Sequence, residues 1–216
     1  MKVVVLIGAP GSGKGTLASC LAERFPVCHV SSGDLLRAAV KQADTPAAVA
    51  AAETMRKGEL VADSVVSALV FEKLQRCAPD DVVLLDGFPR NEKQAAALDA
   101  EAARAGARVK VVVWLDVSEA VLIARLAGRR VCSACAAGYH AETMKPRVDG
   151  ICDICGAALV MREDDRPERI ANRLVVFRKK TASLIGWYEA QGLLLRVDGN
   201  GGTYAVVDQV AEAVMA

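Results

Sequence analysis

The chain has 216 residues, of which 53% are hydrophobic, and its formal net charge at pH 7 is +1. This length suits one large domain, or a core with small inserts, and it permits a substantial hydrophobic core. A charge so close to neutral argues against bulk binding to nucleic acid or to a membrane surface. No stretch approaches the roughly 20 apolar residues of a membrane span. We therefore expect a cytoplasmic protein whose seven cysteines are reduced or bound to metal.

Short apolar runs alternate with helical patterns along the chain, which is typical of an α/β fold with a parallel sheet between helices. Strands are predicted at 2–7, 27–30, 82–85, 109–115 and 193–197. Helices are predicted at 14–24, 33–42, 46–57, 63–76, 91–105, 118–128, 168–190 and 203–215. Two stretches interrupt the alternation and predict inserts: residues 33–61 are helical without a strand, and residues 129–165 have no helical period.

The first predicted strand runs directly into Gly8-Ala9-Pro10-Gly11-Ser12-Gly13-Lys14-Gly15-Thr16. A glycine-rich loop between a strand and a helix lets backbone N–H groups surround a phosphate, and the helix N-terminus adds partial positive charge. Lys14 supplies a mobile cation for the outer phosphates. Gly15 stands where the general pattern has the hydroxyl that binds Mg²⁺, so we expect the loop not to hold the metal in the usual way. The alternative, a turn without a ligand, leaves Lys14 unexplained.

A second buried run, 82–85, ends in Asp86-Gly87-Phe88-Pro89-Arg90. An acid at a strand end is typical of a carboxylate near the metal of a bound nucleotide. A helix cap is the alternative role for Asp86, but Asn91 already fits that place before the next helix. Because ligands of parallel sheets bind beyond the carboxyl ends of the strands, we expect Arg90 to project toward the same crevice as the glycine-rich loop.

The insert at 129–165 carries two Cys-x-x-Cys pairs with sixteen residues between them. Pairs at this separation predict a zinc ion held by four thiolates, in a closed site that is structural and staples an insert too small to fold on its own core. Two disulfides and an iron–sulfur cluster are the alternatives. His140 of the same insert faces either solvent or the edge of a nucleotide. The predicted ligands are Cys132, Cys135, Cys152 and Cys155. The other cysteines are predicted to be small buried residues: Cys20, Cys28 and Cys77.

These motifs, with several further segments, resemble the adenylate kinase family in its long-lid form with a zinc-binding lid. The further segments are Ser31-Ser32-Gly33-Asp34 to Arg37, Gln94, Gly128-Arg129-Arg130, and Arg162-Glu163-Asp164-Asp165 with Asn172-Arg173. The resemblance runs essentially end to end, with the motifs in the family order. It implies a P-loop core at 1–30, 62–128 and 167–216, an AMP-binding insert at 31–61 and a lid at 129–166. The implied reaction is ATP + AMP ⇌ 2 ADP, with Mg²⁺ and by a monomer.

The resemblance also implies the residues of the site. The implied catalytic residues are Lys14, Asp86, Arg90, Arg129, Arg162 and Arg173. The implied ATP-binding residues are Gly11, Ser12, Gly13, Lys14, Gly15, Thr16, Arg129, Gly138, Tyr139 and Gly201. The implied AMP-binding residues are Ser32, Arg37, Glu59, Leu60, Val61, Gly87, Phe88, Pro89, Arg90, Gln94, Arg162 and Arg173. Among them, Gln94 is expected to read the edge of the adenine.

The residue types agree with phosphoryl transfer. An attacking phosphate oxygen is already anionic, so the chemistry needs neutralisation and in-line positioning of phosphates, and arginine forks match phosphate well. Two nearby arginines, Arg125 and Arg130, either act similarly or pair with carboxylates. Mg²⁺ is expected to bind through water and nucleotide oxygens, with Asp86 in its outer shell. A mobile lid would exclude water and so prevent wasteful hydrolysis of ATP.

Three alternative functions stay open at this point. The Ser-Ser-Gly-Asp and Arg-Glu-Asp-Asp segments also look like those of GTP:AMP phosphotransferases, so the donor base is open. Kinases of UMP or CMP are a second alternative, although they usually have a short lid without cysteines. A non-catalytic P-loop and zinc-ribbon module that binds nucleic acid or protein is the third. It would need a basic face or stacking aromatics, and aromatic residues are only 4% of this chain.

Overall fold

The computed structural model of the chain describes residues 1–42, 46–201 and 203–215. The parts of the expected AMP-binding insert at 43–45, and of the expected core at 202 and 216, lie outside the described residues. The strands are β1 Lys2–Ile7, β2 Val27–Ser31, β3 Val82–Asp86, β4 Arg108–Asp116, β5 Arg129–Cys132, β6 Gly138–His140, β7 Leu159–Val160 and β8 Leu194–Asp198. The helices are α1 Lys14–Arg24, α2 Ser32–Gln42, α3 Pro46–Arg56, α4 Asp63–Leu74, α5 Glu92–Arg104, α6 Glu119–Gly128, α7 Pro167–Lys180, α8 Ser183–Glu189 and α9 Val207–Met215.

Five parallel strands form the central sheet in the order β2-β3-β1-β4-β8. All five were predicted to within one residue at either end, and the expected α/β class is confirmed. The strands are recognisable from sequence because a strand buried on both faces is a continuous apolar run. Along β1, Val3, Val5 and Ile7 join the core on one face, while Val4 and Leu6 join the core on the other.

Helices cover both faces of this sheet. The first face buries α4, α5 and α8 through side chains such as Val70, Leu98 and Tyr188. The opposite face buries α1 and α9 through Leu17 and Val210, among others. The two cores fix the sheet between two helical layers, so its carboxyl edge is a rigid mount for a site. No helix within the described ranges combines the length and the apolar character needed to cross a membrane.

The prediction of one continuous helix at 168–190 is wrong. Helix α7 ends at Lys180, because the N–H groups of Thr181 and Ala182 both donate to the carbonyl oxygen of Phe177, at 2.9 and 3.0 Å, and the regular ladder stops there. The break lets α8 take its own direction and bury Leu184 and Tyr188 completely. The helix predicted at 203–215 also differs, since its first turn, Thr203–Val206, is a 3₁₀ turn before α9.

The segment at 129–165 lacks helical structure apart from a 3₁₀ turn at Glu163–Asp165. Its three short strands, which were not predicted, form a separate antiparallel sheet in the order β6-β5-β7. Its own hydrophobic cluster of buried residues consists of only Cys132, Tyr139 and Cys152. A core of this size is too small to hold the segment alone, in agreement with the expected need for a staple.

Candidate active site

The glycine-rich loop connects β1 to α1 at the carboxyl edge of the sheet. Gly13 precedes α1 in a left-handed conformation, with φ of 96°, which a residue with a Cβ rarely adopts. The Nζ of Lys14 donates to the carbonyl oxygens of Gly8 and Ala9, at 2.7 and 3.0 Å, and lies 3.2 Å from the hydroxyl of Ser12. The ammonium group therefore lies inside the loop, at the place where phosphate oxygens would replace these carbonyl contacts.

The charge of Lys14 is held in an unfavourable setting. Burial lowers the pKa of its ammonium group from 10.5 to about 8; the carboxylate of Asp86 opposes this shift, and the nearby arginines reinforce it. Those arginines are Arg90, Arg173 and Arg129. Because these cations repel one another, a polyanion placed among them would relieve that repulsion and would be bound favourably.

Asp86 lies beside the loop, as its position at a strand end predicts. Strand pairing places it opposite Leu6 of β1 and Ser31 of β2. A Cβ built on Gly15 would lie 3.4 Å from the Oδ2 atom of Asp86, so the carboxylate faces the point where the loop lacks a hydroxyl. The Nε2 atom of His29, which was not singled out from sequence, lies 4.0 Å from the same oxygen. Helix α5 is capped instead by Asn91, whose side chain accepts from the N–H of Gln94 at 2.9 Å, as predicted.

A pocket between the sheet edge and α2 to α4 collects most of the expected AMP-binding residues. Apolar side chains of Leu36, Met55 and Val66 complete its wall. Phe88 is the exception among the predicted set: its side chain is buried in the core, with its ring 5.8 Å from that of Phe71. Gly87 and Pro89 line the adjoining larger cleft. The pocket itself is lined by Ser32, Arg37, Glu59, Leu60, Val61, Arg90, Gln94 and Arg173.

The side chain of Arg90 is fixed by the turn before it. Its Nε donates to the carbonyl oxygen of Gly87 at 2.7 Å, and the hydroxyl of Ser32 donates to the same oxygen at 2.8 Å. Gly87 has φ of 79°, and a Cβ there would lie 2.7 Å from the Ser32 hydroxyl. Only glycine fits this position, so the turn holds the Arg90 guanidinium on a rigid base at the edge of the pocket.

Two of the expected catalytic arginines share one buried acid. Asp165, which has no exposed surface, accepts from Arg129 Nε at 2.6 Å and also from Arg173. Arg173 further contacts the carboxylate of Asp164 at 3.1 Å. Neither Asp164 nor Asp165 was predicted to have a role. Their place two and three positions after Arg162, just before α7, is the sequence signal that points to one.

Arg162 differs from its neighbours. Among the described residues, its guanidinium makes no ion pair or side-chain hydrogen bond, although it lines the large cleft. Its pKa is lowered to about 10, mainly by burial and then by the charges of Arg129 and Arg37. A partly buried cation without a direct partner is available to an incoming phosphate.

The far end of the large cleft lies near residues 199–201. Arg125 donates to the carbonyl oxygens of Gly199 and Asn200, at 2.8 and 3.2 Å, and Arg130 likewise bonds only to carbonyls, so neither pairs with a carboxylate in the described structure. His140 lines this cleft rather than facing solvent. Thus the cleft reaches from the phosphate loop to the expected donor-binding residues Arg129, Gly138, Tyr139 and Gly201.

The four predicted metal ligands come together in the segment at 129–165. Their Sγ atoms all lie within 4.8 Å of one another, with 3.3 Å between Cys132 and Cys155 and 3.6 Å between Cys135 and Cys152. A tetrahedral zinc with Zn–S bonds of about 2.3 Å requires sulfur atoms about 3.8 Å apart. The donor set and its spacing therefore fit zinc, and the cysteines are not paired as disulfides.

Tyr139 supports this cluster with its side chain. Its hydroxyl lies 3.5 Å from the sulfur of Cys152 and accepts from the N–H of Asp153 at 2.8 Å. The hydroxyl of Tyr139 is therefore committed to this cluster, although the residue also lines the large cleft. The three remaining cysteines pack against the cores but are only half-buried, whereas the sequence predicted buried residues; they are Cys20, Cys28 and Cys77.

Comparison with known proteins identifies the family. A sequence model of the family described as adenylate kinase matches residues 6–193. The chain is 44% identical over 213 residues to an adenylate kinase of Citrifermentans bemidjiense, with 99% of each chain covered. It is 45% identical over 211 residues to one from Acidothermus cellulolyticus, covering 98% of this chain and 97% of that relative. It is 42% identical over 207 residues to one from Syntrophobacter fumaroxidans, covering 96% of this chain and 97% of that relative. The family predicted from the sequence is confirmed: the chain belongs to the adenylate kinases.

Proposed function

We propose that this chain catalyses reversible transfer of a phosphoryl group from ATP to AMP, giving two molecules of ADP. The observation that carries the proposal is that the large cleft over the phosphate loop adjoins the pocket between the sheet edge and α2 to α4, here called the acceptor pocket, and shares lining residues with it. Three arginines line both the cleft and the pocket, and therefore lie at the junction where a phosphoryl group would pass: Arg37, Arg90 and Arg173. Family membership supports the same reaction and does not favour the non-catalytic module.

In this proposal the protein acts by neutralising and aligning phosphates. Lys14 leaves the carbonyls of Gly8 and Ala9 and takes the outer phosphates of ATP. Arg90, fixed on the Gly87 turn, meets the charge that shifts between donor and acceptor. Arg162, which has no direct protein partner, adds a third cation when the lid approaches. No general base is needed, because the attacking oxygen of AMP is already anionic.

The nucleotide's Mg²⁺ would lie near Asp86. The carboxylate faces Gly15, where the loop offers no hydroxyl ligand, so contact through metal-bound water fits the space better than direct coordination by the loop. The metal would supply charge neutralisation on the bridging phosphate oxygens. The part of Asp86 is to orient that metal and its waters.

Zinc would be held by the four thiolates of the lid and would have a structural role only. Four sulfur ligands leave no open position for a substrate. Elemental analysis of the purified protein should find one zinc per chain, and a chelator should lower the melting temperature more than it lowers turnover. Cys20→Ser, which lies outside the cluster, should keep its zinc. Absence of metal together with rapid alkylation of all four thiols would refute the site.

We further propose the division into a P-loop core (1–30, 62–128 and 167–216), an AMP-binding insert (31–61) and a lid (129–166). Arg129 and Arg162 belong to the lid, whereas Lys14 and Arg90 belong to the core. Movement of the lid would therefore assemble the cationic site around the phosphates and exclude water. A monomer in the cytoplasm remains our expectation for the working form.

A coupled assay of ADP formation tests the function. We expect ATP with AMP to be converted far faster than ATP with UMP, CMP or GMP, and only with Mg²⁺ present. The same assay with GTP in place of ATP tests which donor base the protein prefers. Lys14→Met serves as the loss-of-function control, because methionine removes the positive charge while keeping a side chain of similar length. If folded protein transfers phosphate to none of these monophosphates above the Lys14→Met background, the proposed function is wrong.

A further inference from the structure

The amide of Gln94 is held from two sides inside the acceptor pocket. Its Oε1 accepts from the backbone N–H of Arg90 at 2.7 Å, and its Nε2 donates to Oδ1 of Asp63 at 2.7 Å. Asp63 is the first residue of α4 and also accepts from the Nδ2 of Asn91, at 3.0 and 3.1 Å. Gln94 is itself buried, with 3% of its surface exposed, and it lines the pocket.

These two partners fix which way the amide points. An ionised carboxylate only accepts hydrogen bonds, and a backbone N–H only donates them. If the amide of Gln94 turned over, its oxygen would face the carboxylate of Asp63 and its NH₂ group would face the N–H of Arg90. Both hydrogen bonds would be replaced by repulsion in a buried setting, where unsatisfied polar groups are costly.

The fixed amide offers one N–H and one oxygen lone pair to a ligand. A 6-aminopurine such as adenine presents a ring nitrogen that accepts next to an amino group that donates, which matches this pair. A 6-oxopurine presents an oxygen that accepts at position 6 and an N–H at position 1. Such a base would pair with the amide only in its turned orientation, which Asp63 opposes.

We propose that Asp63 is a positioning residue that makes the acceptor pocket specific for 6-aminopurines, by locking the amide of Gln94 in one orientation. The inference rests on the proposed function and adds the origin of its acceptor specificity. Asp63 does not line the pocket in its own right, so its influence on the base passes through Gln94. From the sequence alone, Asp63 resembles any acid in the first turn of a helix.

The test compares AMP with inosine monophosphate, which has oxygen in place of the 6-amino group and an N–H at position 1 of the ring. Asp63→Asn keeps the shape of the side chain but can either donate to or accept from Gln94. We expect the ratio of kcat/KM for AMP to kcat/KM for inosine monophosphate to fall at least tenfold, through a higher KM for AMP and a lower KM for inosine monophosphate. Asp63→Ser, which suits a helix start, tests the same point should the first variant not fold.

Glu92→Gln is the matched control. Glu92 is an exposed acid in the first turn of α5, next to Asn91, and this variant makes the same carboxylate-to-amide change without touching Gln94. For Glu92→Gln, the ratio of kcat/KM for AMP to kcat/KM for inosine monophosphate should equal that of the wild type. A merely structural Asp63 would lower the melting temperature and reduce both acceptors equally, and an unchanged ratio would overturn the inference. Activity of the wild type with AMP is measured first, so that failure of the proposed function itself is seen separately.

Discussion

Lys14 is the residue whose ionisation should report the arrival of a polyphosphate. With its pKa near 8, the ammonium group is partly deprotonated in the free protein at pH 8. Bound phosphate favours the charged form and raises the pKa, so a proton must be taken up on binding. We expect uptake of about half a proton per ATP at pH 8, and weaker binding as the pH rises further. Calorimetry in buffers of different ionisation enthalpy measures this number directly.

Lys14→Met provides the comparison for that measurement. The phosphates of ATP are already ionised at pH 8, so they contribute little to the uptake, and the difference between wild type and variant isolates Lys14. The variant will bind ATP more weakly and must be titrated at higher concentration. Equal uptake by the two proteins would show that another group is responsible and that Lys14 is not the phosphate ligand.

The guanidinium of Arg90 is held in place by the Gly87 turn, which suits a group that acts in the transition state. Arg90→Lys keeps the positive charge but loses the planar fork and the Nε contact to Gly87, which is 2.7 Å long. By analogy with the loss of one preorganised donor, kcat should fall roughly 10²–10³-fold, with little change in the melting temperature. Steady-state kinetics with both substrates, beside a melting curve, separate the two effects.

The control for this change is Arg24→Lys. Arg24 forms an ion pair with Asp208 at 2.7 Å on the surface, where both side chains are more than half exposed. An exposed pair contributes at most about 1 kcal/mol, so this variant should have normal kinetics and nearly normal stability. Turnover close to wild type in Arg90→Lys would make Arg90 part of the scaffold rather than a catalytic residue.

At the scale of elements, Asp165 connects the start of the lid to helix α7. It has no exposed surface and forms ion pairs with both Arg129 and Arg173. Asp165→Asn keeps its shape but leaves Arg129 without its counter-ion and leaves Arg173 with only the carboxylate of Asp164. Removing one partner of a buried ion pair typically costs about 3–5 kcal/mol, and we expect a loss toward the lower end because both arginines retain some solvent contact. Denaturant unfolding measures the difference.

Glu163→Gln makes the same chemical change two positions earlier. Glu163 pairs with Arg166 at 2.7 Å, with both side chains about half exposed, so its loss should cost less than about 1 kcal/mol. If the two variants are equally stable, the buried acid does not hold the lid to the core. A large loss of stability in Asp165→Asn alone supports the connection.

The elements of the central sheet were predictable because each follows from local pattern. An apolar run between turns predicts a buried strand whatever lies around it, and the glycine-rich loop and the paired cysteines each carry their chemistry within a few residues. The break between α7 and α8 was not predictable, since neither proline nor glycine marks Thr181 and Ala182. The strands of the lid are two to four residues long and have too little pattern to recognise.

The parts of the site that escaped prediction depend on contacts between distant segments. Asp165 meets Arg129 across 36 positions of sequence, and Asp63 meets Gln94 across 31. In each case the acid looks like an ordinary surface or helix-terminal residue in the sequence, and only the fold brings its partner near. Phe88 shows the reverse: a residue within a recognised motif whose side chain serves the core.

At the scale of the whole molecule, the large cleft and the acceptor pocket adjoin and share lining residues, with Gly201 in the lining of the cleft and Gln94 in that of the pocket. A single ligand that carries an adenosine at each end of a chain of five phosphates should therefore occupy both nucleotide sites of one protein molecule. Joining the two halves makes the second binding event intramolecular, with an effective concentration in the millimolar range. We expect binding with one ligand per chain, at least a hundredfold tighter than ATP alone, measured by calorimetry.

The two ends of this ligand are tested separately by variants at each site. Gln94→Leu should weaken the bridged ligand while leaving the affinity for ATP near normal, because Gln94 lines only the acceptor pocket. Lys14→Met should weaken both ligands. Ligand binding to the native state also raises its stability, by about 2.7 kcal/mol at a free concentration of 100 times Kd, so a melting curve gives an independent measure. Two ligands per chain, or an affinity no better than that of ATP, would show that the donor and acceptor sites are not spanned together and that the cleft does not align the two phosphate groups for transfer.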